Sequence, residues 1–343
     1  MTRLRNSPRA LCSQGFSLVE LMVSLTLGLL ISIAGFTAYL GIASASRMAE
    51  AQGRMDEDAQ AALTILTQQL RMAGSNPDET NRVDNPNATL SSRRNPSYFP
   101  TPTYVGYALR PTTFALSSFI IRGCDGTFSN IQAATDIDHL TCGSGINTSP
   151  DSIAVSYEAD IFNTIPTAPT IPATARFPTD CLGNKLTTIT ATLPTVVAGV
   201  STATDVTYAV ADNRFYIGSR SSIPSLYCKG NGLNSTAQPL VENVEDMQFI
   251  YGTTAAATTV AGYLRADQIL SNTYLSLLPD DASRWGKVVT VRICVLVRSA
   301  NPVVSNSVSA RYRKCDGSLE SAPPDLRLRR AYSTTVVLRN RQL

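Results

Sequence analysis

Between Phe16 and Leu40 the chain reads FSLVELMVSLTLGLLISIAGFTAYL, in which Glu20 is the single charge. As a helix this run is about 37 Å long at 1.5 Å per residue, enough to cross a hydrocarbon core of roughly 30 Å with some tilt. The pattern then changes but keeps a helical period. Met48, Met55, Ala59, Ala62, Leu63, Leu66 and Leu70 recur at spacings of three, four and seven, and Glu50, Arg54, Asp56, Glu57, Asp58 and Gln68 fall between them. Gly74, Ser75, Asn76 and Pro77 then stop the helix. The pattern predicts one helix from about Phe16 to Ala73, apolar all round in its first half and amphipathic in its second. Core packing accounts for the methionine and leucine stripe.

Beyond Pro77 the period of four disappears. Residues 77–104, rich in Asn, Pro, Ser and Arg, read as a long loop. Strand-like runs follow at 114–121, 152–157, 205–210, 213–217, 244–251, 287–298 and 331–339. The clearest is 287–298, where Val289, Val291, Ile293, Val295 and Val297 share one face and Thr290, Arg292, Cys294, Leu296 and Arg298 the other. The Thr- and Pro-rich stretch 162–204 and GTTAAATTVAG at 252–262 read as exposed insertions. A short helix is expected within 266–278, ahead of a turn at Pro279-Asp280-Asp281.

Charge adds a division that hydropathy does not show. The net charge of +3 is carried by Arg3, Arg5 and Arg9, ahead of the apolar run. The last sixty residues, 284–343, hold 12 basic and 3 acidic side chains, so 16–283 has the opposite excess. Such a split points to packing of the two parts on each other or on complementary neighbours. With so little overall excess charge, nucleic acid is not an expected partner. The arginines Arg311, Arg313, Arg327, Arg329, Arg330, Arg339 and Arg341, with Lys314, read as solvated or subunit-facing.

Three arginines before the apolar run and none after it until Arg47 put the N-terminus in the cytoplasm and the rest of the chain outside. The cysteines fit an oxidising compartment. Cys12 lies in the basic leader, and Cys124, Cys142, Cys181, Cys228, Cys294 and Cys315 are widely spaced, as three disulfides would be. Fifteen pairings are possible for six cysteines. Joining sequence neighbours, Cys124 with Cys142, Cys181 with Cys228 and Cys294 with Cys315, is the simplest. A secretory signal ending at Ala43-Ser44-Ala45 is the rival reading, but its apolar stretch would be about 7 to 15 residues. A plain membrane anchor leaves Glu20 unexplained, because a carboxylate there costs about 2.5 to 3.5 kcal/mol on insertion scales and is retained for a partner.

The residues just upstream supply that partner. Gln14-Gly15-Phe16-Ser17-Leu18-Val19-Glu20, behind a basic leader, resembles the type IV prepilin (class III) signal. The resemblance implies cleavage after Gly15 by a membrane-embedded prepilin peptidase, N-methylation of the new terminus Phe16, and a role in assembly for Glu20. In that family the glutamate neutralises the terminal ammonium of a neighbouring subunit.

A second stretch, Glu242-Asn243-Val244-Glu245-Asp246-Met247-Gln248-Phe249-Ile250-Tyr251-Gly252, is similar to a strand of the PilW-type minor pilins. Leu226-Tyr227-Cys228 and Val291-Arg292-Ile293-Cys294 occur in that family's order. The resemblance implies an α+β, pilin-like fold, with the long N-terminal helix packed on an antiparallel sheet with long loop insertions. It divides the chain into a leader (1–15), a transmembrane or assembly half-helix (16–40), an amphipathic half-helix (41–73) and a disulfide-containing periplasmic domain (74–343). The implied function is that of a minor pilin in a membrane-inserted priming or tip complex. Its partners would be other minor pilins, the major pilin, the prepilin peptidase and the inner-membrane assembly platform, and its place a single pass of the inner membrane and then the pilus, at its tip. A type II secretion pseudopilin of the J type, usually shorter, is the near alternative; a fibre-displayed adhesin or DNA-binding module is another. Neither an enzyme, a cofactor nor a metal is expected. His139 is the single histidine, and no nucleophile elbow, phosphate loop, dinucleotide fingerprint or zinc motif occurs.

Overall fold

The computed structural model describes residues 17–75, 119–143, 149–167, 176–197, 200–256, 259–278 and 280–341. Of the sequence expectations, the leader, the loop at 77–104 and residues 114–118 of the run at 114–121 lie outside these residues. The chain forms two compact units, Met1–Glu50 and Ala51–Leu343.

Helix α1 runs from Leu18 to Met72. In the second unit its buried positions are Met55, Ala59, Ala62, Leu66 and Leu70, the predicted stripe. The expected polar face is not wholly solvent-facing. Asp56 accepts a hydrogen bond from the Tyr332 hydroxyl. Burial raises the Asp58 carboxyl above its ordinary value, against a hydrogen bond from Asn243 that lowers it. The helix end is closed from outside. Gly74 adopts φ +69, a left-handed stop suited to a residue without Cβ, and Asn340 donates to the carbonyls of Arg71 and Ala73 at 3.1 and 3.2 Å.

Two antiparallel sheets carry the rest. In the first, β1 (Ile121–Cys124), β2 (Ser152–Ala159), β4 (Val200–Arg220), β5 (Ile223–Lys229) and β6 (Gln238–Glu242) lie in that order, and β3 (Thr188–Val197) pairs with β4. The second has the order β12 (Arg329–Val337), β9 (Val288–Arg298), β7 (Val244–Ala256), β8 (Thr259–Leu264). A small hairpin joins β10 (Tyr312–Arg313) to β11 (Leu319–Glu320). The chain changes sheets at one residue, Asn243, which takes φ +63 between β6 and β7, a conformation that asparagine tolerates.

Strand β9 shows the predicted alternation, with Val291, Ile293, Val295 and Val297 all fully buried. Strand β2 is buried along its whole length, as expected of a strand covered on both faces. Its Tyr157 meets α1 in a polar contact inside the core, where Asn213 donates to Gln69 at 2.8 Å and the Tyr157 hydroxyl lies 3.4 Å from the same oxygen. Burial pushes the Tyr157 hydroxyl up to about 12.

Two sequence expectations are corrected. The stretches 162–204 and 252–262 are not merely loops, since they contain β3, the first part of β4, and the β7–β8 hairpin. Threonine and valine favour extended backbone because of branching at Cβ, but the Thr-rich composition of these stretches reads as insertion rather than as strand. The helical signal at 266–278 resolves into α2 (Ala266–Ser271), a 3-10 turn at Leu275–Leu277 and, past the turn, α3 (Asp281–Trp285) capped by Asp280.

Candidate assembly site

Helix α1 begins with a reciprocal cap. The Ser17 backbone N–H donates to Glu20 Oε2 at 3.0 Å, and the Glu20 N–H donates to Ser17 Oγ at 3.2 Å. This is the Ser-x-x-Glu capping box, in which two otherwise unsatisfied helix donors are closed by each other's side chains. It also sets a carboxylate in the first turn, where the helix dipole favours negative charge. Glu20 is thereby oriented toward the chain's N-terminal side. The sequence reading identified Glu20 but not Ser17, although the spacing was visible. Gly15 and Phe16, the expected cleavage and methylation positions, lie outside the described residues.

Behind Glu20, fifteen large apolar side chains from Leu18 to Ile42 are 51 to 75% exposed. Leaving them in water would cost on the order of 20 kcal/mol. The hydroxyls of Thr26, Ser32 and Thr37 are turned back onto carbonyls three or four residues earlier, so polar atoms in the run are satisfied within the helix. The helix is long and apolar enough to cross a membrane, with a mean hydropathy of 2.1 in its most apolar window.

The second unit is held by disulfides and ion pairs. Cys124–Cys142, Cys181–Cys228 and Cys294–Cys315 are joined, each cysteine with its sequence neighbour. Glu245 on β7 binds Arg329 of β12 through two bonds of 2.6 and 2.9 Å and Arg298 of β9 at 3.2 Å. Asp325 binds Arg329 at 2.7 Å. Burial opposes the charge of Arg329, but the hydrogen bonds to Glu245 and Asp325 outweigh it and hold its pKa above the ordinary guanidinium value. Arg330 approaches Asp56 at 3.8 Å, Lys314 approaches Glu320 at 3.1 Å and Arg327 approaches Asp325 at 3.3 Å. The charge split seen in the sequence is thus partly neutralised inside the domain.

His139 is an exposed member of the loop closed by Cys124–Cys142, and its hydrogen bond to Asp136 at 2.6 Å raises its pKa. Among the described residues no group of three or more His, Cys, Asp or Glu side chains could hold a metal ion.

An outward-facing apolar helix headed by a carboxylate, continuing into an antiparallel domain, is the layout of a pilin subunit. Residues 11–36 match the prokaryotic N-terminal methylation motif, and residues 214–340, from the middle of β4 to the residue that caps α1, match the type IV pilus-assembly protein W family. These two matches support a type IV pilus assembly-related pilin similar to the PilW family, with an N-terminal helix long and apolar enough to cross a membrane. No curated protein and no solved structure matches it.

Proposed function

We propose that this protein is a minor pilin of a membrane-inserted priming or tip complex from which a type IV pilus grows. In this reading the prepilin peptidase cuts between Gly15 and Phe16, Phe16 is N-methylated, and the α1 segment up to Leu40 holds the subunit in the inner membrane with its second unit in the periplasm. Other minor pilins, the major pilin and the assembly platform are its partners, and the finished protein sits at the pilus tip.

The observation that carries the proposal is the placement of Glu20 in the capping box, at the head of an exposed apolar helix. A carboxylate offers about four lone-pair directions, and Ser17 takes one of them. The remainder can accept an ammonium. Leader cleavage creates one at Phe16, and a subunit staggered along the helix axis would bring its own Phe16 to a neighbour's Glu20. Either charge alone is costly in lipid, whereas the pair is tolerable, so pairing rewards docking in register.

Glu20→Ala and Glu20→Gln should leave insertion and leader processing largely intact while lowering incorporation. Cell fractions and sheared pili, blotted for wild type and both variants, provide the comparison. Equal incorporation of all three would remove Glu20 from the mechanism.

A further inference from the structure

After β2 the chain makes a turn, residues 160–165, that holds two large apolar side chains in solvent. Phe162 is 87% and Ile165 81% exposed. We propose that this turn is a docking knob for a different pilin subunit of the same assembly, which takes Phe162 and Ile165 into an uncharged apolar socket. The proposal deepens the function given above and rests on it in one respect, that the partner is a pilus subunit. The surface is separate from Glu20, the leader and the membrane helix.

The knob is held in shape by the fold itself. Asp160 Oδ1 accepts from the Phe162 and Asn163 N–H groups, both at 2.7 Å, and the Asp160 N–H donates to Asn163 Oδ1 at 2.8 Å. The Thr164 N–H donates to the Asp160 carbonyl at 3.3 Å. This closes one helical turn, on which Phe162 and Ile165, three residues apart, are neighbours. Asn163 Nδ2 ties the turn to the Glu158 carbonyl of β2 at 2.8 Å. On its other side the buried Thr179 donates its N–H to Thr164 Oγ1 at 3.2 Å and its hydroxyl to the Ile165 carbonyl at 2.5 Å. Single exposed apolar residues are ordinary. Two of them side by side on a clamped turn form a contiguous surface that loses little further entropy on docking, which is what an interface anchor requires.

Position and chemistry select the partner. The Glu158 N–H donates to the Ser75 carbonyl at 2.9 Å, so the knob lies at the Ser75 end of α1. From Ala51, where the chain enters the second unit, to Met72 the helix rises about 32 Å at 1.5 Å per residue. Subunits staggered along the helix axis, as the pairing of Phe16 with Glu20 requires, put a neighbour beyond that end. Asp160, the one charged residue in 160–165, is turned onto the backbone of its own turn, so the socket needs no countercharge. A second copy is a poor match. Of the nine residues lining the groove of about 680 Å³ between α1 and β12, Leu63 and Met72 alone are apolar.

The test uses the full-length chain in cells that assemble the pilus, with Phe162→p-benzoylphenylalanine and ultraviolet irradiation of the intact cells. The expected product joins this chain to a different protein that carries its own prepilin-type N-terminus, and mass spectrometry places the bond in an apolar stretch of that partner. Ile165→Asp should lower the yield at least tenfold, whereas Ile165→Val should keep it within about twofold. Trp285 fluorescence verifies that both variants are folded. Tyr274→p-benzoylphenylalanine, at a position equally open to solvent on another part of the domain, controls for exposure alone. Leader cleavage is read from the mass of the same chains and Glu20-dependent incorporation from sheared pili, so a processed, incorporated chain without the link fails this proposal and leaves the earlier reading standing. Absence of the product, a link to a second copy, to lipid or to a protein lacking a prepilin-type N-terminus, a yield indifferent to Ile165→Asp, or the same partner captured equally from position 274 would each overturn the proposal.

Discussion

Asp151 sits where the two sheets meet, and its protonation should set how stability varies with pH. Its Oδ1 accepts from the Gly126 N–H at 3.0 Å, its Oδ2 from the Phe249 N–H of β7 at 2.8 Å, and its own N–H donates to the Met247 carbonyl at 2.7 Å. The residue is 4% exposed. Burial pushes the carboxyl up to about 7, against the lowering effect of the two backbone donors and with further raising from Asp125 and Asp246. A carboxyl whose folded pKa lies above its unfolded value near 3.8 binds more protons when folded between the two values. Stability therefore rises as pH falls from about 7 toward 4 and is lost again as pH rises. Between pH 5 and pH 7 the contribution is at most about 3 kcal/mol, from 1.36 kcal/mol per pH unit. Asp151→Asn removes the titration but turns an amide N–H toward one backbone donor, so the variant is less stable than wild type at pH 5. The gap should shrink by about 2 to 3 kcal/mol on going to pH 8, where wild type carries the buried charge. Urea unfolding at pH 5, 6, 7 and 8 measures this through Trp285, which is 2% exposed and packs edge-on against Tyr251 at 4.9 Å. Asp246 and the other carboxylates titrate in both proteins, so the difference isolates Asp151. A gap independent of pH would refute the reasoning.

Two further substitutions probe the same domain. Gly123 in β1 admits the Tyr251 ring, and an added Cβ would lie 2.8 Å from Tyr251 Cζ, closer still to its hydroxyl, and 3.2 Å from Trp285 Cη2. Gly123→Ala should therefore destabilise by about 1 to 3 kcal/mol, and Tyr251→Phe should recover part of that loss in the double variant; additive losses in urea unfolding would contradict the contact. Glu245→Ala leaves Arg329, whose side chain is 1% exposed, with Asp325 alone, and should cost about 3 to 5 kcal/mol, with a smaller loss for Glu245→Gln. A thermal shift no larger than that of an exposed charge substitution would count against it.

The parts of the molecule that were legible in the sequence are those where one physical effect dominates. The apolar run to Leu40 and the Met55 to Leu70 stripe are set by hydropathy at a helical period, and β9 by strict alternation about a buried face. The six cysteines are widely spaced, and taken in chain order they join in successive pairs. What was missed depends on less periodic causes. Strand β3, the first residues of β4 and the turn end of the β7–β8 hairpin are rich in Thr, Ala and Val, a composition that reads as insertion although it favours extended backbone. The network of Glu245 and Asp325 with Arg298 and Arg329 joins residues from three strands and a loop, a juxtaposition that sequence separation conceals. At the assembly site Glu20 stood out because charge in an apolar run is expensive, whereas Ser17 is an ordinary polar residue until its hydroxyl is seen on the Glu20 N–H.

The central claim, that this chain is processed as a prepilin and enters the fibre, is tested most directly by intact-mass analysis of the protein recovered from sheared pili. The account predicts a species beginning at N-methylated Phe16, lacking residues 1–15 and carrying one added methyl group. Recovery of the chain only from the membrane fraction with its leader intact, or with an N-terminus created after Ala45, would contradict it.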